Sequence, residues 1–386
     1  MNSIVDPLMA PGLRPELREI GELARKFCEK SLKLHVEHDE ESETFRRSVI
    51  AELGNLGLTG LPVSESLGGA GLGYQELCVV LEEIAAVHAA YAISVAVTGL
   101  PQLILSRFGT PSQQAQWIPK LASGQAIGAF SLSEAGSGSD AASLRTTAKR
   151  QGDWYVIQGT KLWTTQADEA DVILLMARTD TASGPRGIST FLLEKGTPGL
   201  QMGKREKKMG LSSSHTMEVL LDQVKVPASA LVGNEGDGFR IAMTALDSGR
   251  ITIAATALGV ARGALEAALE HAKIRSQFGK PIGEFQGVSF LLADMATELL
   301  ASRGLVERAA RLRDEGHPFS LEAACAKLHA TDMAMKVTTD AVQILGGAGY
   351  TREFPVERYM REAKVLQIVE GTNQIQRVVI GRGLTT

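Results

Sequence analysis

Trp154-Tyr155-Val156-Ile157, Val172-Ile173-Leu174-Leu175-Met176, Thr190-Phe191-Leu192-Leu193 and Met217-Glu218-Val219-Leu220-Leu221 are four short runs rich in β-branched and aromatic residues. Polar, turn-forming segments separate them and no helical period intervenes. They predict consecutive strands of an antiparallel sandwich or barrel-like unit. On both sides the period changes. Upstream, apolar residues recur at three-to-four spacing at Ile20, Leu23, Ala24 and Phe27, and again at Leu77, Val80, Leu81 and Ile84. Downstream, Ile251 to Leu269 is alanine-rich and almost continuously apolar, as in a helix buried on several sides. Ser289 to Arg313 and Leu321 to Leu345 predict two further long helices. The chain therefore reads as an α+β protein in three parts: helical over 1–125, antiparallel β over 126–236 and helical over 237–386.

Composition excludes several function classes. The chain has 386 residues, 44% hydrophobic and 22% charged, with a formal net charge of −4. That is an ordinary globular balance with no polyanion-binding bias. The basic run Lys204-Arg205-Glu206-Lys207-Lys208 is interrupted by an acid and reads as a solvated turn before a strand, so no nucleic-acid partner is expected. Cys28, Cys78 and Cys325 are few and far apart, which predicts neither a disulfide framework nor a thiolate metal site. His35 and His38 lack a ligating partner cluster, and no metal is expected. Met1 to Pro11 shows no basic region followed by an apolar one. Ile84 to Leu105 contains His88, Gly99, Pro101 and Gln102, a poor membrane span but a good buried helix with a break. A cytoplasmic protein without membrane insertion is the expectation.

Four segments could carry chemistry. Glu370 lies in Val369-Glu370-Gly371-Thr372, shortly after Gly346-Gly347-Ala348-Gly349-Tyr350. A carboxylate there either faces a closed pocket, where loss of water would make it a usable proton acceptor, or is simply solvated. Ser131 to Asp140 offers hydroxyls and permissive amides, or is a hydrated interdomain loop. Gly159 to Gln166, read as a β-turn region, sets Trp163 beside threonine hydroxyls, which suits either a planar ligand ring or a core contact. In Arg275-Ser276-Gln277-Phe278-Gly279-Lys280-Pro281 the guanidinium suits a pyrophosphate or a helix C-terminus. The glycine-rich Leu67 to Tyr74 has no preceding strand and reads as a turn between helices, not a dinucleotide loop.

In order, SEAGSGSD (133–140), YVIQGTKLWTT (155–165), RSQFGKPIGEFQ (275–286), QILGGAGY (343–350) and VEGTNQIQR (369–377) resemble the acyl-CoA dehydrogenase family over about residues 15 to 383. In pattern they are similar to bacterial short- and medium-chain members. The resemblance implies a C-terminal four-helix bundle and FAD held between the β domain and the C-terminal helices. Phe130, Leu132, Ser133, Trp163 and Thr165 would surround the flavin ring. Ser139 matches a position contacting flavin or the CoA moiety. Arg275, Gln277, Phe278, Gln286, Gln343, Gly346 and Gly347 would hold the pyrophosphate and adenosine, several of them for a neighbouring subunit. Thr372 and Gln374 would lie near the adenine end. Glu370 matches the catalytic base, with Asp247, Arg250, Gly371 and Ser139 on the substrate side.

The resemblance further implies dehydrogenation of an acyl-CoA to a trans-2-enoyl-CoA, an electron-transfer flavoprotein as acceptor, and a dimer or tetramer. Some relatives carry the base where Gly249 stands here, so Glu370 is the only matching candidate, and Gly249 is expected to leave room beside Arg250. Three positions depart from the family pattern. Ala135 replaces a proline, which would loosen a turn; Gln166 replaces an asparagine; Ser212 replaces an arginine, removing a charge. The alternative functions are an oxidase, a carrier-protein-dependent dehydrogenase, or a non-catalytic acyl-CoA-binding scaffold. The absence of sequence for an extra C-terminal domain argues against a typical oxidase.

Overall fold

The structure, a computed structural model, describes residues 5–10 and 12–385. The stretch from Met1 to Pro11 read for a leader lies partly outside the described residues. Five helices come first: α1 (Pro15–Phe27), α2 (Val36–Ser42), α3 (Arg47–Asn55), α4 (Tyr74–Phe108) and α5 (Pro111–Ala122). Local chemistry sets their starts. Thr110 and Gln113 form a reciprocal capping box ahead of α5, with Pro111 at its first turn. The first amides of α4 are received by a distant carboxylate, Asp314, which accepts from Tyr74 N at 2.7 Å and Gln75 N at 3.0 Å. The predicted break in α4 falls at His88 (φ −151°, ψ 92°), and Gly99 and Pro101 lie within continuous helix.

Eight strands follow: β1 (Gly128–Ser131), β2 (Thr147–Gln151), β3 (Trp154–Thr165), β4 (Val172–Arg178), β5 (Ile188–Glu194), β6 (Leu200–Arg205), β7 (Thr216–Pro227) and β8 (Leu231–Val232). They form one sheet in the order β6-β7-β3-β2-β4-β5-β8, with β1 beside β4. Most pairs are antiparallel, but β1 and β2 each run parallel to β4, so the sheet is mixed. Parallel neighbours need a long crossover, and the β2–β3 excursion supplies one between β1 and β4. The basic run at 204–208 begins inside β6 rather than in a turn before a strand.

β4 and β5 are buried along almost their whole length. Ile173, Leu175 and Leu193 face a β-domain core with Tyr155 and Val219. Val172, Leu174 and Leu192 face helical residues Leu100, Ile104, Trp117 and Ile241. Period-two alternation thus sends successive side chains into two cores and fixes the sheet against the helices.

The chain then returns to helix: α6 (Gly238–Ile274), the hairpin β9 (Ser276–Gln277) and β10 (Lys280–Pro281), α7 (Gln286–Asp314), α8 (Ser320–Leu345), α9 (Val356–Leu366) and α10 (Asn373–Thr385). One continuous hydrophobic core joins α1, α4, α6, α7, α8 and α9. α4 and α6 are long and apolar enough to cross a membrane, but both are mostly buried inside this core.

Candidate active site

Glu370 sits in the short turn between α9 and α10, with a left-handed backbone (φ +54°). That conformation costs a residue with a side chain on the order of 1 kcal/mol and needs surrounding contacts to persist. Its carboxylate points at α6. A methyl group built on Gly249 would lie 2.5 Å from Glu370 Oε2 and 2.9 Å from its Cδ. The space beside Arg250 expected to be open is therefore filled by the Glu370 carboxylate, and only glycine at 249 permits that approach.

Glu370 Oε2 is buried and has no hydrogen-bond partner. Burial pushes the carboxyl up to about 7, against the opposing pull of the Arg250 and Lys327 cations. Arg250 is buried, pairs with Asp247 one turn earlier on α6, and keeps its Nε unpartnered. Asp247 also accepts from Ser320 Oγ at 2.9 Å. A carboxylate kept poorly solvated near neutral pH, beside a buried guanidinium, is suited to accept a proton from a weak carbon acid.

The predicted flavin-ring residues form a second cluster. Leu162 N donates to Ser133 O at 2.9 Å, Lys161 Nζ to Leu132 O at 2.9 Å, and Ser131 and Thr164 share a hydroxyl bond of 2.8 Å. These bonds tie the segment after β1 to β3. Gly159 to Thr165 is strand, not the turn expected. A register shift between Lys161 and Thr164 and a positive φ at Trp163 (+61°) leave the Trp163 side chain 58% exposed, beside Thr165. Ala135 does not loosen its turn. Glu134 and Ser137 exchange backbone bonds of 2.9 and 3.0 Å, and the Glu134 carboxylate is fixed by buried Lys161 at 2.8 Å and by the amides of Arg145 and Thr146. Burial pushes Lys161 down to about 8 despite that carboxylate. Gln166 compensates for its own departure from the pattern. Its buried amide accepts from Ser94 Oγ at 2.6 Å and donates to Thr98 Oγ1 at 2.9 Å and Gly128 O at 2.7 Å, locking α4 to the sheet.

The third group stands apart. Arg275, Gln277 and Phe278 lie on the exposed β9–β10 hairpin, Phe278 being 95% exposed. Gln286 opens α7, and Gln343, Gly346 and Gly347 end α8; all four are exposed. Ser139 is on an exposed loop, Thr372 is half-buried and Gln374 is exposed on α10. No described contact brings the hairpin residues to the Ser133–Trp163 cluster. The residues nonetheless fit FAD in kind. An outward indole and neighbouring hydroxyls suit the flat ring, an exposed guanidinium suits the pyrophosphate, and the open space above Gly346 and Gly347 suits close approach of a ligand.

Ser212 lies away from Glu370. Its amide, with the amide and hydroxyl of Ser213, holds the Glu40 carboxylate at 2.9, 3.2 and 2.7 Å, on the side of α9 that faces α2. Sequence reasoning missed Lys327 and Gln376, which hold the Glu370 turn. Gln376 stands inside the run VEGTNQIQR without having been singled out, and the signal for Lys327 is its place as a charged residue in an alanine-rich run of α8.

Comparison with known proteins places the whole chain in one family. The N-terminal, middle and C-terminal domain models of acyl-CoA dehydrogenase match residues 14–125, 129–224 and 236–385. An acyl-CoA dehydrogenase of Bacillus subtilis (strain 168) is 46% identical over 94% of this chain and 96% of its own length. A short-chain-specific acyl-CoA dehydrogenase of Megasphaera elsdenii is 45% identical over 94% and 96%. The solved butyryl-CoA dehydrogenase of the same organism superposes with a TM-score of 0.96 at 42% identity, covering 98% of this chain and 100% of that one. The chain belongs to the acyl-CoA dehydrogenase family, whose members are oxidoreductases using FAD.

Proposed function

We propose that this enzyme dehydrogenates a short-chain acyl-CoA at its α and β carbons, with Glu370 removing the α-proton. The observation that carries the reading is the Glu370 carboxylate: poorly solvated, unpartnered at Oε2, and aimed into the space that Gly249 leaves beside Arg250. FAD, when bound, supplies the acceptor for the β-hydrogen as hydride. The residues proposed to hold it are Phe130, Leu132, Ser133, Ser139, Trp163 and Thr165 in one chain. Arg275, Gln277, Phe278, Gln286, Gln343, Gly346, Gly347, Thr372 and Gln374 are proposed for its pyrophosphate and adenosine. Exposure of the hairpin group in a single chain supports a homo-oligomer in which a neighbour contributes these residues.

Each chain residue has a defined task. An α-proton of a thioester is weakly acidic, so the growing negative charge on the carbonyl needs donors in place. The Glu370 amide is the candidate donor from this chain, and Arg250 favours the ionised base before the proton moves. Asp247, Arg250, Gly371 and Ser139 are proposed for the substrate side. Short-chain preference is supported by the Megasphaera relative, whose name specifies it. An electron-transfer flavoprotein as acceptor and a cytoplasmic location complete the proposal.

A panel of acyl-CoA thioesters scored by anaerobic flavin bleaching tests the substrate. The greatest rate constant is expected with short chains, and a maximum with long chains would reject that part. Glu370→Gln should retain FAD yet bleach about 10² to 10⁴-fold more slowly, the usual contribution of a general base. Near-normal bleaching in that variant would rule out Glu370 as base. Fast turnover with dioxygen alone would instead identify an oxidase.

A further inference from the structure

Two consecutive residues at the base, Glu370 and Gly371, have left-handed backbone, φ +54° and +86°. Their carbonyls are turned toward the protein interior and are both gripped. Gly371 O accepts from Gln376 Nε2 at 2.7 Å and from Lys327 Nζ at 2.9 Å, and Glu370 O accepts from Gln376 Nε2 at 3.1 Å. Lys327, on α8, is completely buried. Its second partner is Asn373 Oδ1 at 2.8 Å, and Asn373 is itself fixed through Nδ2 to Thr331 Oγ1 at 2.9 Å and Asp332 Oδ1 at 2.7 Å. Both partners of Lys327 are acceptors, and its Nζ donates to each of them.

We propose that Lys327 is a positioning residue for the reaction: it clamps the Gly371 carbonyl so that the turn aims the Glu370 carboxylate at Gly249, and it sets a positive charge beside that base. The proposal rests on the reading of Glu370 as the base. The charges around the pair come from three helices. Arg250 and its partner Asp247 stand on α6, Asp332 on α8, and Arg377 on α10 pairs with Asp332 at 3.2 Å. Burial pushes Lys327 down to about 7, and Glu370 and then Asp332 pull it back toward the charged form. The coupling is mutual, since Lys327 favours the ionised form of Glu370.

The test compares Lys327→Met, Lys327→Gln and Glu370→Gln with the wild-type holoenzyme. The glutamine variant keeps a donor within reach of the Gly371 carbonyl and guards against misfolding. Two readouts are taken across pH: anaerobic flavin bleaching by butyryl-CoA, and uptake of solvent deuterium into the methyl group of acetyl-CoA, which needs the base but has no β-hydrogen to transfer. The expected result for Lys327→Met is normal flavin content, at least about a tenfold loss of both rates at pH 7, and an acidic limb moved up by about one pH unit. Lys327→Gln should share the moved limb with a smaller loss of rate. Wild-type rates with an unmoved limb in either variant overturn the proposal. Failure of both variants to take up flavin also overturns it, because Lys327 is then a requirement of folding. If Glu370→Gln is inactive while the Lys327 variants behave as wild type, only the role of Lys327 falls. If Glu370→Gln is active, the base reading itself fails.

Discussion

At Glu370 burial and neighbouring cations oppose each other, and burial is the larger influence. Proton abstraction needs the ionised form, so kcat/KM should fall as pH drops through about 7, and a limb near pH 4.5 would contradict the buried setting. Stability should respond in the opposite sense. Folding raises this carboxyl above its ordinary 4.5, so the folded chain binds the proton more tightly and Glu370 costs stability as pH rises from 4.5 to about 7. Glu370→Gln should therefore melt higher than wild type at pH 8, with the difference shrinking toward pH 5. Equal melting temperatures at both pH values would count against that account. Gly249 gives a sharper geometric test. Its alanine variant would force the carboxylate away from a 2.5 Å contact, and a misplacement of that size lowers kcat by about 10 to 100-fold with flavin retained. An unchanged kcat would mean that Glu370 works from another rotamer. For the same reason Gly249→Glu, made to carry a base in place of Glu370, must first displace the side chain at 370.

Among elements, the decisive contact is the one between α4 and the sheet. Gln166 closes β3 with a left-handed backbone (φ +52°), and its amide satisfies buried groups on α4 and β1. Gln166→Ala would leave them unpaired and should destabilise the chain by on the order of 2–4 kcal/mol. A thermal or urea melt within about 0.5 kcal/mol of wild type would show that the sheet relaxes instead. The strands themselves were legible: β4, β5 and β7 enclose the runs from Val172, Thr190 and Met217, the first two buried on both faces and β7 alternating between buried and more exposed residues. One segment was misjudged for a physical reason. Gly159 to Thr165 carries glycine and threonines, which mimic a turn, yet cross-strand pairing with β7 carries β3 through them with register shifts. In α4 the expected break falls at His88, whose ring packs edge-on against Tyr91.

At the scale of the whole molecule, the residues assigned to FAD divide between a cluster at β1–β3 and an exposed rim formed by the β9–β10 hairpin, the start of α7 and the end of α8. Phe278, at 95% exposure, is an expensive surface residue unless something covers it. Phe278→Ser should lower the flavin-to-protein ratio and loosen the proposed oligomer, while leaving the unfolding of the single chain unchanged. Gel filtration with absorbance at two wavelengths checks this, and full flavin content in a dissociated chain would show that no neighbour contributes to the site.

The sequence by itself determined the helical–β–helical order, because side-chain period and backbone propensity are local, and the resemblance carried by its contiguous motifs pointed to Glu370 as the base candidate. It also marked Gly249 as a position that cannot supply a base. Only the tertiary structure decided that Gly249 is the surface against which the Glu370 carboxylate rests, that Ala135 leaves its turn closed, and that Ser212 belongs to a Glu40 contact on another side of α9. It alone brought Lys327 on α8 to the Gly371 carbonyl, 44 positions along the chain. Such contacts join residues far apart in sequence through the packing of α6, α8 and α10, and that packing leaves no periodic signature in the chain.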